Sequence, residues 1–455
     1  MTAMSLVQGY SSSSESESEV KELQRNHADK GLALKENSNS VVIGEDIGIK
    51  RKLKSTKAEA KKRKLLRKGK GPWGSWSGSE SSTSDEEPEN EEVSQYFETD
   101  EPDVPNETHV ESSTFYGESK KDYQNRGFLH PPAEVGVDFT KKLLSFKCFL
   151  PKKTIHVYSG HLNGTGALRF LPNSGHLFLS GGNDCMLRIW DFYHDRGCLR
   201  DYKGHSKPIK AVDFANDGRT FLSAAFDQKA KIWDTETGKV TSRYNFHSTP
   251  NDLKFHPSEP NSFIVGLSNS KINHYDVRVQ AKQGLVQVYD HHLSSILSLR
   301  YFPDGSKFIS SSEDKTVRIW ENQINIPIKQ ISDTAQHSMP YIDVHPQHHY
   351  FCTQSMDNTI YTYGMQPKYK RHPNKSFKGH QSAGYGIGFT FSPDGHYICS
   401  GDAKSNVMIW DWTTTKLLKT IRISGGKPIT QVAWNPQETS KVICTGGVGK
   451  IFLLD

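Results

Sequence analysis

One short pattern recurs through the last two thirds of the chain and limits its fold more than any other feature. It reads MLRIWD (Met186 to Asp191), AKIWD (Ala230 to Asp234), TVRIWE (Thr316 to Glu321) and VMIWD (Val407 to Asp411). Weaker copies read KINHYD (Lys271 to Asp276), TIYTYG (Thr359 to Gly364) and KIFLLD (Lys450 to Asp455). The Trp place is held by Trp190, Trp233, Tyr275, Trp320, Tyr363, Trp410 and Leu454, so successive copies lie 43, 42, 45, 43, 47 and 44 residues apart. A near-constant spacing of this size means one supersecondary unit repeated, each copy burying its face against the next.

The order within a copy is also constant: a His turn, an alternating strand, a Pro-Asp-Gly-like turn, a second strand, a tight turn with Asp, then the Trp strand. IKAVDFANDGRTFLSAAFDQKAKIWD (Ile209 to Asp234) contains all of it, with turn residues Asn216, Asp217 and Gly218. This is the WD-repeat signature, whose unit is a four-stranded blade. The expected fold is all-β, a seven-bladed WD40 β-propeller over residues 154–455. The seventh copy runs out after its third strand. TIHVYSGH (Thr154 to His161) has strand chemistry and is not needed by blade one, so residues 154–158 are expected to close blade seven from outside; without them an edge would stay unpaired.

Many copies carry Ser, His and Asp, the residue types of a hydrolase triad. A nucleophile is needed once, whereas this set recurs. Ser or Thr falls ten residues before the Trp place (Ser180, Ser223, Ser310, Thr353, Ser400) and Asp six before it (Asp184, Asp227, Asp314, Asp357). The pattern predicts a buried hydrogen-bond chain: the indole N–H of Trp190, Trp233 or Trp320 to the hydroxyl, the hydroxyl to a turn histidine (His161, His205, and His291 or His292), and the imidazole to the carboxylate. Blade three (Val265, Asn269, Tyr275), blade six (Lys404) and blade seven (Cys444, Val448, Leu454) depart from it and are expected to rely more on packing. No catalytic residue, cofactor site or metal site is expected. GGVGK (Gly446 to Lys450) is followed by Ile451 where a phosphate loop needs Ser or Thr, and HPQHHY (His345 to Tyr350) reads as a solvated turn rather than a zinc site.

Composition divides the chain. The first 121 residues hold 18 Lys and Arg against 23 Asp and Glu, with Ser and Glu tracts such as SSSSESESE from Ser11 to Glu19. Such a stretch buries too little apolar surface to offset the entropy of ordering, so residues 1–121 are expected to form a long, largely disordered arm, and 122–153 an extended segment leading into the ring. Residues 122–455 carry 39 basic and 28 acidic groups, a mildly basic balance that leaves direct RNA contact open. The six cysteines form no C-x-x-C pair, and no apolar run is long enough to span a bilayer, so a soluble, intracellular protein with reduced thiols is expected.

Within the arm, Lys50 to Lys70 contains 12 basic residues and one acid, Glu59. Its two clusters, Lys50, Arg51, Lys52 and Lys61, Lys62, Arg63, Lys64, resemble a bipartite nuclear-import signal, and the run would also suit phosphates. Glu80 to Asp103 holds 11 acids and no Lys or Arg, with Ser84 placed for phosphorylation beside Asp85. Between them GPWGSW (Gly71 to Trp76) is neutral. Trp73 and Trp76 have no local core to enter, so Pro72, Trp73 and Trp76 are expected to dock on another protein, the alternative being this chain's own ring.

Several phrases are more specific than the repeat: DYQNRGFLHPPAEVGVDF (Asp122 to Phe139), PKKTIHVYSGH (Pro151 to His161), CLRDYKGHSKPI (Cys198 to Ile209), DTETGK (Asp234 to Lys239), QSMDN (Gln354 to Asn358) and ETSKVI (Glu438 to Ile443). With them, and the Gly71 to Trp73 island, the chain resembles the spliceosomal WD-repeat factors of the second catalytic step, the family of pre-mRNA-processing factor seventeen, also called cell division control protein forty. The resemblance implies a nuclear, non-enzymatic spliceosome subunit that supports exon ligation through protein contacts of ring and arm near the RNA core. The Ser-Glu tracts and basic run depart from that family's usual pattern. A competing function class is a WD40 receptor for a ubiquitin ligase or a chromatin peptide, which would need an adaptor-binding helix or an acidic pocket.

Overall fold

The computed structural model describes residues 110–118, 124–333, 336–365 and 367–455. The basic run, the Trp island and the acidic run lie outside the described residues.

Strands from Thr154 to Leu454 form seven antiparallel sheets. Their innermost strands, Thr165–Phe170, Ile209–Phe214, Pro250–Phe255, Ile296–Tyr301, Tyr341–Val344, Phe389–Phe391 and Ile429–Trp434, pack side by side into a closed ring. Hydrophobicity tracks radial position. The second strands Leu177–Gly182 and Ser262–Leu267 are buried at every residue because blades cover them on both faces, whereas the outer strand Leu417–Arg422 is mostly exposed. Within blade seven the inner and second strands approach so closely that a Cβ on Gly446 would lie 1.9 Å from the Pro428 carbonyl oxygen, so only glycine fits there.

The fourth strand of blade seven is Thr154–Ser159. It runs antiparallel to Lys450–Leu454, with Val157 opposite Phe452 and Tyr158 opposite Ile451. The Lys152 and Lys153 amides donate to the Asp455 carbonyl at 2.6 and 2.9 Å. Tyr158 is buried edge-on to Phe178 (5.0 Å) and Trp190 (5.6 Å) of blade one, so the closing strand also joins the last blade to the first.

The expected boundary of the arm at residue 121 requires correction. Ser112–Phe115 is a fifth strand of blade one, paired with Cys198–Lys203 from Ser112 opposite Lys203 to Phe115 opposite Arg200. The Glu111 carboxylate accepts from Lys231 Nζ at 2.6 Å and from Arg243 Nε at 2.9 Å on blade two. Asp201 accepts from the Thr114 amide (3.1 Å) and the Tyr116 hydroxyl (2.9 Å). Phe115 stacks on Phe128 (5.6 Å) beneath the Arg200 guanidinium (5.2 Å). The physical reason is local: Thr114, Phe115 and Tyr116 are three consecutive residues of strand chemistry inside an otherwise charged window, and blade one offers an unpaired edge.

The lead-in segment crosses the inner turns of blades one, seven and six. His176 Nε2 donates to the Phe128 carbonyl (3.2 Å), Gln437 Nε2 to the Lys141 carbonyl (3.1 Å), and the Cys148 amide to Asp394 (2.7 Å). Cys148 is fully buried among Cys399, Cys444 and Trp434.

Candidate functional site

Three blades assemble the same polar chain. In blade one, Trp190 Nε1 donates to Ser180 Oγ (2.8 Å), the hydroxyl meets His161 Nε2 (2.7 Å), and His161 Nδ1 meets Asp184 (3.0 Å). In blade two the corresponding distances are 2.9, 2.7 and 2.9 Å through Trp233, Ser223, His205 and Asp227. In blade four they are 2.8, 2.7 and 2.9 Å through Trp320, Ser310, His292 and Asp314. His292 is thus the partner, while His291 is exposed beside Asp290.

The charge states follow from the geometry. Burial lowers His161 and His292 despite their carboxylates, so the rings are neutral at pH 7, accepting from serine at Nε2 and donating to Asp at Nδ1. Burial alone would raise Asp184 and Asp314, but hydrogen bonds from the histidines and from Arg188 or Thr316 hold both well below their ordinary values. The Ser180, Ser223 and Ser310 hydroxyls are each fully buried and engaged by two partners.

These chains also shape a surface. Asp184 accepts from the Leu162 amide (3.2 Å) and Asp314 from the Leu293 amide (3.1 Å). Fixed by the backbone, Leu162 and Leu293 point to solvent, 69% and 86% exposed, with half-exposed Tyr385 on a loop of the same face. Exposed apolar residues held on rigid loops are the usual material of a protein-binding face.

The remaining blades differ. In blade six Lys404 stands where the Asp is needed, and the imidazole has turned away: His380 Nε2 meets Gln354 (2.7 Å) of blade five. Trp410 Nε1 instead donates to the Lys378 carbonyl (3.0 Å), and Ser400 Oγ to the Gly401 carbonyl (3.2 Å). Blades three and five stack rings in the same place, Tyr275 on Phe263 (5.4 Å) and Tyr363 on Phe351 (5.1 Å).

Reading HPQHHY as a solvated turn is wrong for its first residue. His345 is fully buried and donates from Nε2 to the Gly395 carbonyl of blade six (2.9 Å). His256 does the same to Gly305 (2.9 Å), and Asn435 Nδ2 to Gly175 (2.9 Å). Blades three, five and seven therefore latch the next blade through the residue before the turn proline. GGVGK forms the turn between Val442–Gly446 and Lys450–Leu454, with no helix behind it to receive a phosphate.

The inner strands enclose a channel of about 580 Å³. A second cavity of about 340 Å³ is lined by Asp213, Lys254, Arg300 and Asp343, members of a belt that sequence reading missed. Arg169, Asp213, Lys254, Arg300 and Asp343 occupy the next-to-last place of successive inner strands in blades one to five. Lys254 pairs with Asp252 (2.9 Å) and Arg300 with Asp343 (2.8 Å), while Asp213 lies between Arg169 (3.7 Å) and Lys254 (3.9 Å). Three cations face three carboxylates, so the belt is internally neutral and binds blades together.

Among the described residues no group of three or more His, Cys, Asp or Glu is placed to hold a metal ion. Burial pushes the Cys148 and Cys352 thiols up to about 12, which removes the reactive thiolate.

Comparison with known proteins agrees with this architecture. The model of the WD domain, G-beta repeat, matches residues 152–191, 196–234, 283–321 and 371–411, the copies that end in a true Trp. Pre-mRNA-processing factor 17 of Saccharomyces cerevisiae is 59% identical over 456 residues, covering 99% of this chain and 100% of that protein. The mouse and human proteins of that name are 43% and 42% identical over 336 residues, 73% of this chain but 57% of each of theirs. The early arm, expected to depart from the family, is thus matched in the yeast relative. Identity on this scale through arm and ring together places the chain in the pre-mRNA-processing factor 17 family of WD-repeat proteins.

Proposed function

We propose that this protein is a nuclear, non-enzymatic pre-mRNA splicing factor that acts as a scaffold around the second catalytic step. The observation that carries this reading is the 59% identity to the yeast factor over 99% of the chain, arm included. The geometry supports a scaffold: serine, histidine and aspartate are consumed by internal bonds, and the belt on the inner strands is neutral. The strand at Ser112–Phe115 anchors the arm to blade one, so whatever residues 1–109 bind is held near the ring at high local concentration. Pro72, Trp73 and Trp76 are the proposed docking residues for a spliceosomal protein, and the clusters at Lys50–Lys52 and Lys61–Lys64 the proposed import signal.

The test is add-back to nuclear extract depleted of the protein. Depletion is expected to leave lariat intermediate and free first exon, and the full chain to restore exon ligation. Trp73→Ala with Trp76→Ala is expected to restore less while leaving the ring's unfolding midpoint unchanged. Depletion that blocks the first step, or has no effect, contradicts the second-step role.

A further inference from the structure

The outer edge of blade five gathers five cations within eleven residues, Lys368 to Lys378, with no acid among them. From Asn358 to Pro393 there is no Asp or Glu, whereas Lys368, Lys370, Arg371, Lys375 and Lys378 fall within this stretch. All but Lys375 are exposed. Several cations elsewhere are matched: Lys231 to Glu111, Arg188 to Asp184, Lys254 to Asp252, Arg300 to Asp343, Lys441 to Glu438. None of the five on blade five makes an ion pair among the described residues. Two are held by rings instead: the Arg371 guanidinium lies 3.7 Å from the centre of Tyr361, and Lys375 Nζ 3.9 Å from that of Trp412. Rings position a cation without neutralising it.

The backbone adds to this. Arg371–Lys378 pairs Lys378 with Thr359 and Ser376 with Tyr361, then breaks register, and resumes with Arg371 opposite Tyr363. His372, Pro373 and Asn374 are therefore pushed out of the sheet edge and are exposed.

We propose that this edge binds the phosphate backbone of RNA. The inference rests on the reading of the protein as a spliceosome component, and it assigns the contact to one edge of one blade. RNA is favoured over an acidic protein segment because no large apolar side chain between Thr359 and Lys378 is exposed. A peptide gains its affinity from buried anchors, whereas a phosphate backbone needs only unpaired cations and amide or hydroxyl donors.

The experiment uses the full chain and a fluorescein-labelled, unstructured 20-nucleotide RNA, with anisotropy read over a series of salt concentrations. Lys368→Gln, Lys370→Gln and Lys378→Gln together are compared with Lys207→Gln, Lys239→Gln and Lys282→Gln, an equal loss of exposed charge on blades two and three. The blade-five variant is expected to bind about tenfold or more weaker at low salt and to reduce the log–log salt slope by about 2 to 3, roughly one per phosphate contact removed. The control is expected to stay within about twofold of wild type on the same scale. Equal effects in both variants, ultraviolet crosslinks confined to residues 50–70, or equal capture of polyglutamate would each overturn the proposal. Add-back of the same variants to depleted extract separates the two readings. Restoration by wild type with RNA affinity unchanged in the blade-five variant removes this site and leaves the splicing role standing. RNA binding through blade five without restoration by wild type does the reverse.

Discussion

Blades four and six begin from nearly the same parts and end differently. Both have a Trp on the third strand, a Ser ten residues earlier and a histidine in the preceding loop. Blade four also has Asp314, and indole, hydroxyl, imidazole and carboxylate join within 2.9 Å at every step. Blade six has Lys404 there, and all three remaining groups find other partners. The carboxylate is the keystone: it accepts from Nδ1 at 2.9 Å and thereby aims Nε2 at the serine. Without it the imidazole meets a neighbouring blade through Nε2 while its Nδ1 is buried without a partner, and the indole turns to a backbone carbonyl.

Acid should have the largest effect on stability. His176, His274, His345 and His380, none of which bonds a carboxylate, are lowered by burial from 6.5 to about 4. The folded state refuses a proton that the unfolded chain accepts, so their contribution is complete above pH 6.5 and is lost as pH falls toward 4. Each such group costs up to about 1.4 kcal/mol per pH unit in that window. Unfolding midpoints in urea between pH 7 and 4 should fall steeply, and a flat profile would contradict the neutral buried rings.

Serine replacement comes next. Ser223→Ala strands both the Trp233 indole and His205, which should cost about 2–4 kcal/mol, whereas Ser400→Ala loses one bond to Gly401 and should cost under about 1 kcal/mol. Equal losses in denaturant unfolding would erase the distinction between the two kinds of blade.

Exchange of the keystone is a milder test. Asp314→Asn should cost about 1–3 kcal/mol through the loss of charge-assisted bonds to His292 and Leu293. Lys404→Asp should stabilise blade six by up to about 1 kcal/mol if the imidazole is drawn back to Ser400. Destabilisation by Lys404→Asp would show that more than one carboxylate separates the blades. The smallest global effect is expected at the clip of the arm: Glu111→Ala leaves Lys231 with the Gly204 carbonyl, so limited proteolysis near residues 110–118 should rise while the ring's midpoint moves by only about 1 kcal/mol.

Much of this could be read from sequence because its signals are local or periodic. Trp, Ser and Asp at fixed offsets marked the three polar chains, and the loss at Lys404 was visible as a broken offset. The choice between His291 and His292 was not, since adjacent residues on a loop differ only in which one the backbone turns inward. The belt of Arg169, Asp213, Lys254, Arg300 and Asp343 carries no motif; its members are a blade apart, and only strand register brings them together. His345 looked like a surface turn residue because its acceptor, the Gly395 carbonyl, belongs to the next blade. The strand at Ser112–Phe115 was hidden by the composition of the charged stretch around it.

The most direct measurement is add-back of purified Ser180→Ala, Ser223→Ala and Ser310→Ala variants to depleted splicing extract, at a temperature well below each variant's own unfolding midpoint. If the serines serve only the ring's structure, each variant, once folded, restores exon ligation as wild type does. A variant that is fully folded by circular dichroism and still fails at exon ligation would mean that a Ser, His and Asp set takes part in the chemistry, and the scaffold reading would fall.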